Sequence, residues 1–275
     1  MSKSKIEWCT HTENPFAGCK HGCSYCYARR YAHRLSGNSK TMQNALFSIG
    51  LDPFTPACCP ELFERLDAKL TSAIKPRHVF LGSMGDIGGE WDYVLVRSSR
   101  DGSSYYVALD ENKDEPLIMY HDEVVRWTSR IISKFGGIHH FILLTKNPFY
   151  IQRYKWWQSN VSIGVSASCM DDAYERLLGL GDVSVQNKWI SVEPLMDKDF
   201  DPSVLSTCKG LGWVVVGGMS RMTNGSQIFS RDSIVRSAKR IVEWCKRNGV
   251  PCFVKDNMQS LDREYNWPVQ IVERG

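Results

Sequence analysis

Short apolar runs rich in β-branched residues recur along the chain, and each is continuous rather than alternating. They read HVFLGS (78–83), HFILLT (140–145), VSIGVS (161–166), KWISVE (188–193), GWVVVGG (212–218) and VPCFVK (250–255). A strand with one wet face alternates apolar and polar residues. An unbroken apolar run suits a strand covered on both faces, as in a parallel sheet under helices. Helical patterns fill the gaps. Pro60 opens PELFERLDAKLTSAI, with Leu62, Leu66 and Leu70 at i, i+4 and i+8. Asp122 is a candidate cap for the next helix, Asn147 with Pro148 for the one after, and Asp171 or Asp172 for DDAYERLLGL. Ser230 is the candidate cap of a last helix that ends at Gly249. Strand alternating with helix predicts an α/β fold with right-handed crossovers. One more strand in THTENPFAG makes about seven. A partial barrel accounts for the repeat better than a sandwich. A doubly wound sheet uses the same pattern, because strand order is not written in a sequence.

One stretch breaks the rhythm. Residues 90–121 alternate, with Asp101-Gly102 as a turn between two strand-like runs, which predicts a β-hairpin inserted after the second barrel strand, a lid or an ornament. The 275 residues are read as one domain. The net charge of +4 does not by itself specify a nucleic-acid partner. No apolar run approaches the ~20 residues of a membrane span, and MSKSKIEWCTHTENP lacks the apolar core of a secretory signal. The expected location is therefore the cytoplasm, away from membranes, where thiols stay reduced. Ten cysteines there are ligands, catalysts or buried apolar residues rather than disulfides.

Three of them form a pattern. GCKHGCSYCYARR (18–30) spaces Cys19, Cys23 and Cys26 as C-x3-C-x2-C, with Gly18 and Gly22 to help the chain turn. Structural zinc takes four protein ligands, so three thiolates leave a corner open. They can hold three irons of a [4Fe–4S] cluster, whose fourth iron then binds an outside molecule. Zinc completed by His11, His21 or His33 is the competing reading of this loop.

This loop resembles that of the radical S-adenosylmethionine (SAM) superfamily, with Tyr25 in the aromatic place before the last cysteine. The blocks IEWCTHTENPFAGCKHGCSYCYARRYAHRL, HVFLGSMGD, FILLTKNP, SIGVSA, ISVEPLM, WVVVGGMSR and VPCFVKDNM further resemble a phage-associated, radical-SAM-like family of unassigned reaction. Two departures are Cys9, where a small polar residue is expected, and a long 90–121 insert. The resemblance implies a partial (β/α)6 TIM-type barrel and a [4Fe–4S] cluster on Cys19, Cys23 and Cys26. It also implies SAM as cofactor, and an electron donor such as flavodoxin or ferredoxin. Reductive cleavage of SAM would then start hydrogen abstraction from a substrate. The phage association and basic charge lean the substrate toward a nucleic acid or nucleotide, modified or repaired. Peptide or protein modification is the alternative enzyme reading, and a non-catalytic zinc-stabilised binding module the alternative class.

Barrels gather functional groups at the C-terminal ends of strands. Those ends nominate Ser83 and Asp86, then Glu90 in a GGE that sits several residues later than the superfamily's Gly-Gly-Glu. Thr145 and Lys146 end the third strand. Ser166 and Ser168 end the fourth, as candidates for the SAM ribose or carboxylate. Glu193 ends the fifth, where a carboxylate is costly to bury without a partner. Gly217 and Gly218 would let backbone approach a ligand, followed by Arg221. Lys255 and Asp256 are a candidate salt-bridged pair or substrate contacts. Cys169 is a candidate hydrogen-atom donor, catalytic if so. Cys58 and Cys59 lack partners spaced for a second cluster. On the first helix, Tyr27 and Tyr31 are expected to face inward, with Arg29, Arg30, His33 and Arg34 on a solvated face that could also serve a nucleic-acid groove.

Overall fold

The computed structural model describes residues 2–89, 93–98, 104–108, 118–119, 121–155, 157–219 and 231–258. Its strands are β1 (Ser2–Lys3), β2 (His11–Glu13), β3 (Phe16–Ala17), β4 (Ala57–Cys58), β5 (His78–Leu81), β6 (Tyr93–Ser98), β7 (Tyr105–Val107), β8 (Ile118–Met119), β9 (His140–Thr145), β10 (Val161–Ala167), β11 (Asn187–Val192), β12 (Leu211–Val216) and β13 (Cys252–Val254). Its helices are α1 (Tyr27–Leu35), α2 (Met42–Ser48), α3 (Pro60–Thr71), α4 (His121–Lys134), α5 (Pro148–Ile151), α6 (Met170–Gly181) and α7 (Arg231–Asn248). Among the described residues, no helix is long and apolar enough to cross a membrane.

The main sheet runs β1-β2-β5-β9-β10-β11-β12-β13. From β2 onward every pairing is parallel, and β1 joins antiparallel at the edge. Strand order rises steadily along the chain and never reverses, which excludes the doubly wound alternative.

The seven parallel strands curl into a half-barrel, and Trp8 shows why. Its indole lies 4.8 Å from the Phe80 ring on β5 and 6.1 Å from Trp213 on β12. Those strands are four steps apart, or roughly 19 Å in a flat sheet. One side chain can touch both only if the sheet bends around it. Phe80, Ile142, Trp189, Trp213, Val215 and Phe253 complete this inner cluster. At the open seam, the Asp256 amide donates to Glu7 Oε2 at 2.9 Å, drawing the end of β13 toward the segment before β2.

The continuous apolar runs have two destinations. On β11, Trp189 faces the inner cluster, while Ile190 and Val192 pack outward under the helices. The outer layer takes Leu66 and Leu70 from α3, Val125 and Ile132 from α4, Leu177 and Leu180 from α6, and Ile241 from α7. Pro60 opens α3 as expected, but Phe63 rather than Leu62 joins Leu66 and Leu70 among its buried residues. Asp122 lies in the first turn of α4, where it accepts the Tyr150 hydroxyl at 2.9 Å, and Cys169 rather than an aspartate precedes α6. Gly249 ends α7 with a φ of 66°, as a C-terminal glycine should. Ser230 lies outside the described residues.

Gly164 on β10 is small for a reason: a Cβ there would overlap the Trp189 indole. Gly164→Ala is expected to cost about 1–3 kcal/mol by overpacking the inner cluster, read as a lower urea midpoint. An unchanged midpoint would show that the ring has room to move.

The expected hairpin is present: β6 and β7 pair antiparallel, with Val96 opposite Val107. It does more than protrude. β6 also pairs with β4 and β8, building a second small sheet with β3. Val107 packs into a cluster with Ala28, Ala32, Met42 and Leu46, on which Cys19 and Cys26 also rest. The described part of the insert thus buttresses the cysteine loop. The Asp101-Gly102 turn falls outside the described residues.

Candidate functional site

The strand ends open on a cavity of about 360 Å³, within the range of small-molecule sites. Trp8, Phe54, Phe80 and Leu144 form its apolar walls. The polar groups come from strand ends around the half-barrel: Ser83, Asp86, Thr145, Lys146, Ser166, Ser191, Glu193, Gly218 and Lys255. Cys19, Cys23 and Cys26 all line the same cavity. Most of the residues nominated from the strand ends therefore meet in one place.

The loop reaches the cavity from β3 by a close approach. Gly18 has a φ of 95°, and a Cβ there would lie 2.5 Å from the Thr55 carbonyl oxygen, so only glycine fits. Its amide donates to the Met84 carbonyl at 2.8 Å, and Cys19 N–H to the Phe54 carbonyl at 3.3 Å. All three thiols are free and half-buried. Backbone amides already point at two of them: His21 N–H lies 3.4 Å from Cys19 Sγ, and Arg29 N–H 3.4 Å from Cys26 Sγ. Cys26 caps α1, where the helix N-terminus favours negative charge. Burial, aided by the Asp86 carboxylate, pushes the Cys19 thiol up to about 12. A metal supplies what ionises such a thiol.

Asp86 holds the wall beside the loop. Its carboxylate accepts His21 Nε2 at 2.8 Å, the Lys146 amide at 2.8 Å and the Gly88 amide at 2.9 Å. Burial opposes ionisation, but the His21 hydrogen bond and charge, the Thr145 hydroxyl and the Lys146 amide outweigh it. They hold the carboxyl below its ordinary value. Ligand atoms of Cys19, His21 and Asp86 lie within 4.8 Å of one another, the only such group among the described residues. Two ligands on one tetrahedral zinc sit about 3.4 Å apart. At 2.8 Å, His21 and Asp86 are hydrogen-bonded partners rather than neighbouring ligands. Asp86→Ala strands two amides and a histidine, and is expected to lower the unfolding free energy by roughly 2–4 kcal/mol. Asp86→Asn should lose less; equal denaturation midpoints for Asp86→Ala and the unaltered chain would contradict this role.

Tyr25 lines the cavity and is pinned at its hydroxyl. Lys146 Nζ donates to its hydroxyl at 3.2 Å, and that hydroxyl donates to Ser168 Oγ at 3.3 Å. Ser168 in turn donates to Asp172 Oδ2 at 3.0 Å. Ser168 thus stands behind Tyr25 and does not line the cavity. Gly217 also lies behind the wall, where a Cβ would press on Lys255 and Glu193. Gly218 is on the wall, its amide donating to Asn257 Oδ1 at 3.0 Å. Cys169 caps α6 and does not line the cavity. Glu90 and Arg221 lie outside the described residues. Cys58 and Cys59 are buried in separate core clusters, and burial pushes the Cys58 thiol up.

Two expectations are corrected. Lys255 pairs with Glu193 and not with Asp256. Asp256 opens a 3-10 turn just past β13, its amide bonded to Glu7, so adjacency in sequence did not make a pair. On α1, Ala28 and Ala32 are buried, while Tyr27 and Tyr31 are 54% and 44% exposed. The small alanines let α1 lie close to α2 and β7. Tyr27 instead lines the cavity, its hydroxyl donating to the Ser83 carbonyl at 2.5 Å.

Sequence reasoning missed Trp8, Ser191 and Arg30 as cavity residues. Ser191 was findable, being two residues before Glu193 on the same strand face. Trp8 carried no local signal.

A family described as "Protein of unknown function (DUF5131)" matches residues 3–91 and 119–264. The unmatched stretch between them coincides with the insert. No curated protein and no solved structure matches the chain.

Proposed function

The chain belongs to the family of proteins of unknown function DUF5131, and on the geometry of its cavity we propose that it is a radical SAM enzyme of the partial-barrel kind. The observation that carries this reading is the meeting of three half-buried thiols with polar strand ends from β5 to β13 in one cavity.

The donor set fits the cluster. Cys19, Cys23 and Cys26 would hold a [4Fe–4S] centre at three irons; the loop brings no fourth thiolate, and His21 spends its Nε2 on Asp86. When bound, that centre would supply the one-electron chemistry for reductive cleavage of SAM and hydrogen abstraction from a substrate, with the electron drawn from an outside donor of the flavodoxin or ferredoxin class.

The protein's own part is to bind, orient and shield. Ser83, Ser166 and Glu193 offer hydrogen-bonding groups to the amino, carboxylate and ribose parts of SAM, and Gly218, bonded to Asn257, leaves its stretch of wall without a side chain. Lys255 holds the Glu193 carboxylate in place. Lys146 and Ser168 fix the Tyr25 ring beside the cysteines. Trp8, Phe54, Phe80 and Leu144 keep water from the reacting centre, as a reactive intermediate requires.

The test is chemical. The chain reconstituted anaerobically with iron and sulfide, then given dithionite and SAM, is expected to release 5′-deoxyadenosine and methionine. Release of neither by an iron-loaded protein would overturn the reading.

A further inference from the structure

We infer that the exposed face of α1 is a track for a single strand of nucleic acid, leading one nucleotide into the cavity beside the cysteine loop. The inference deepens the reading above and rests on it for the reaction, though not for the binding.

Helix α1 reads YARRYAHRL and carries no acidic residue. Its charges fall into two groups. Arg29 pairs with Asp52 from the side at 3.1 Å and also lies over Phe54, and His33 stands 3.6 Å from the same carboxylate. Arg30 and Arg34 form no ion pair among the described residues. Arg30 lines the cavity, and the Arg34 guanidinium lies over the Tyr31 ring at 5.3 Å. Tyr27 and Tyr31 are exposed on this helix, one turn apart. Large aromatic rings left in water beside arginines that have no ion-pair partner among the described residues make a stacking platform with phosphate-binding charge, the combination that holds single strands.

The spacing favours a single strand over a duplex. Rings four residues apart stand about 6 Å apart along a helix, against ~3.4 Å between stacked bases of a duplex strand. Bases splayed from one another can use both rings. Continuity sets the direction. Tyr31 and Arg34 lie farther along the helix, while Arg30 and Tyr27 line the cavity, Tyr27 with its hydroxyl on the Ser83 carbonyl. A nucleotide turned off the strand enters the cavity over Tyr27, as enzymes acting on bases require. An acidic electron-donor protein would be drawn to the same charge. It would have no use for a tyrosine and an arginine that line the substrate cavity, which is why the strand is the favoured occupant.

The experiment is fluorescence anisotropy of a fluorescein-labelled oligothymidylate with the full chain, before and after iron reconstitution, across a salt series. Binding is expected to weaken with salt. Arg30→Glu with Arg34→Glu should reduce affinity at least tenfold and flatten the salt dependence, by about 0.7 in log–log slope for each phosphate no longer neutralised. Tyr31→Ala, on the open helix surface, should lose roughly fivefold to a hundredfold, the range for one stacked base. A duplex of the same length should compete poorly. An oligouridylate run in parallel names the preferred sugar, and binding of either strand supports the track. Circular dichroism of each variant shows that the fold is kept. Binding indifferent to both variants, a duplex competing equally, or no binding at micromolar protein would overturn the inference. So would charge reversal that slows cluster reduction by flavodoxin while leaving oligonucleotide binding intact. Because binding is read without iron as well as with it, a chain that never takes up iron leaves this result standing. A chain that takes up iron but ignores oligonucleotides fails here alone.

Discussion

Cys23→Ala is expected to yield a folded, colourless protein. Cys23 is half-buried, and unlike Cys19 and Cys26 it does not rest on a core cluster. Its loss should leave the urea midpoint nearly unchanged. Two thiolates cannot hold a cubane that three were placed to hold, so iron should fall from roughly four per chain to a trace. Release of 5′-deoxyadenosine should drop by about a thousandfold or more, to background, because bond scission without the catalyst is slower by many orders of magnitude. Cys245→Ala is the contrast. That thiol is fully buried on the inner face of α7, where it packs as a small apolar residue. Its variant should keep its colour and its turnover while losing stability. A Cys23→Ala protein that still cleaves SAM would remove the loop from the reaction.

The largest loss of stability is expected at Trp8. The side chain is 3% exposed and stands 4.8 Å from Phe80, 5.0 Å from Trp189 and 6.1 Å from Trp213, the rings of three separate strands. Truncation removes the body around which the sheet curls and opens a void that those rings cannot fill. Trp8→Ala should lower the unfolding free energy by about 3–5 kcal/mol, measured by urea denaturation of the iron-free chain. Trp8→Phe, which keeps a ring, should recover part of it. A loss under about 1 kcal/mol would mean that the half-barrel closes without its plug.

How much of this was legible beforehand depended on the range of the interaction. The continuous apolar runs announced strands covered on both faces, and the rhythm gave their number. The runs could not say which alternate residues faced the barrel interior. On β11 the polar tip of the inward row, Ser191 and Glu193, is the site, and the outward row of Ile190 and Val192 is core. Contacts between distant residues were invisible. His21 meets Asp86 across 65 residues, and Glu193 meets Lys255 across 62. Helix α1 misled because tyrosines at i and i+4 look like an inner stripe, and alanines one place later share that spacing. What decided between them was the lack of space against α2 and β7, which only the fold reveals.

The proposed chemistry turns on one iron left without a protein ligand. Mössbauer spectroscopy of the protein reconstituted with ⁵⁷Fe, with and without SAM, looks at that iron itself. Roughly four irons per chain in a [4Fe–4S] centre are expected, with a single iron site changing its spectrum when SAM is added. One zinc per chain with no cubane, or a cubane whose spectrum ignores SAM, would contradict the proposal.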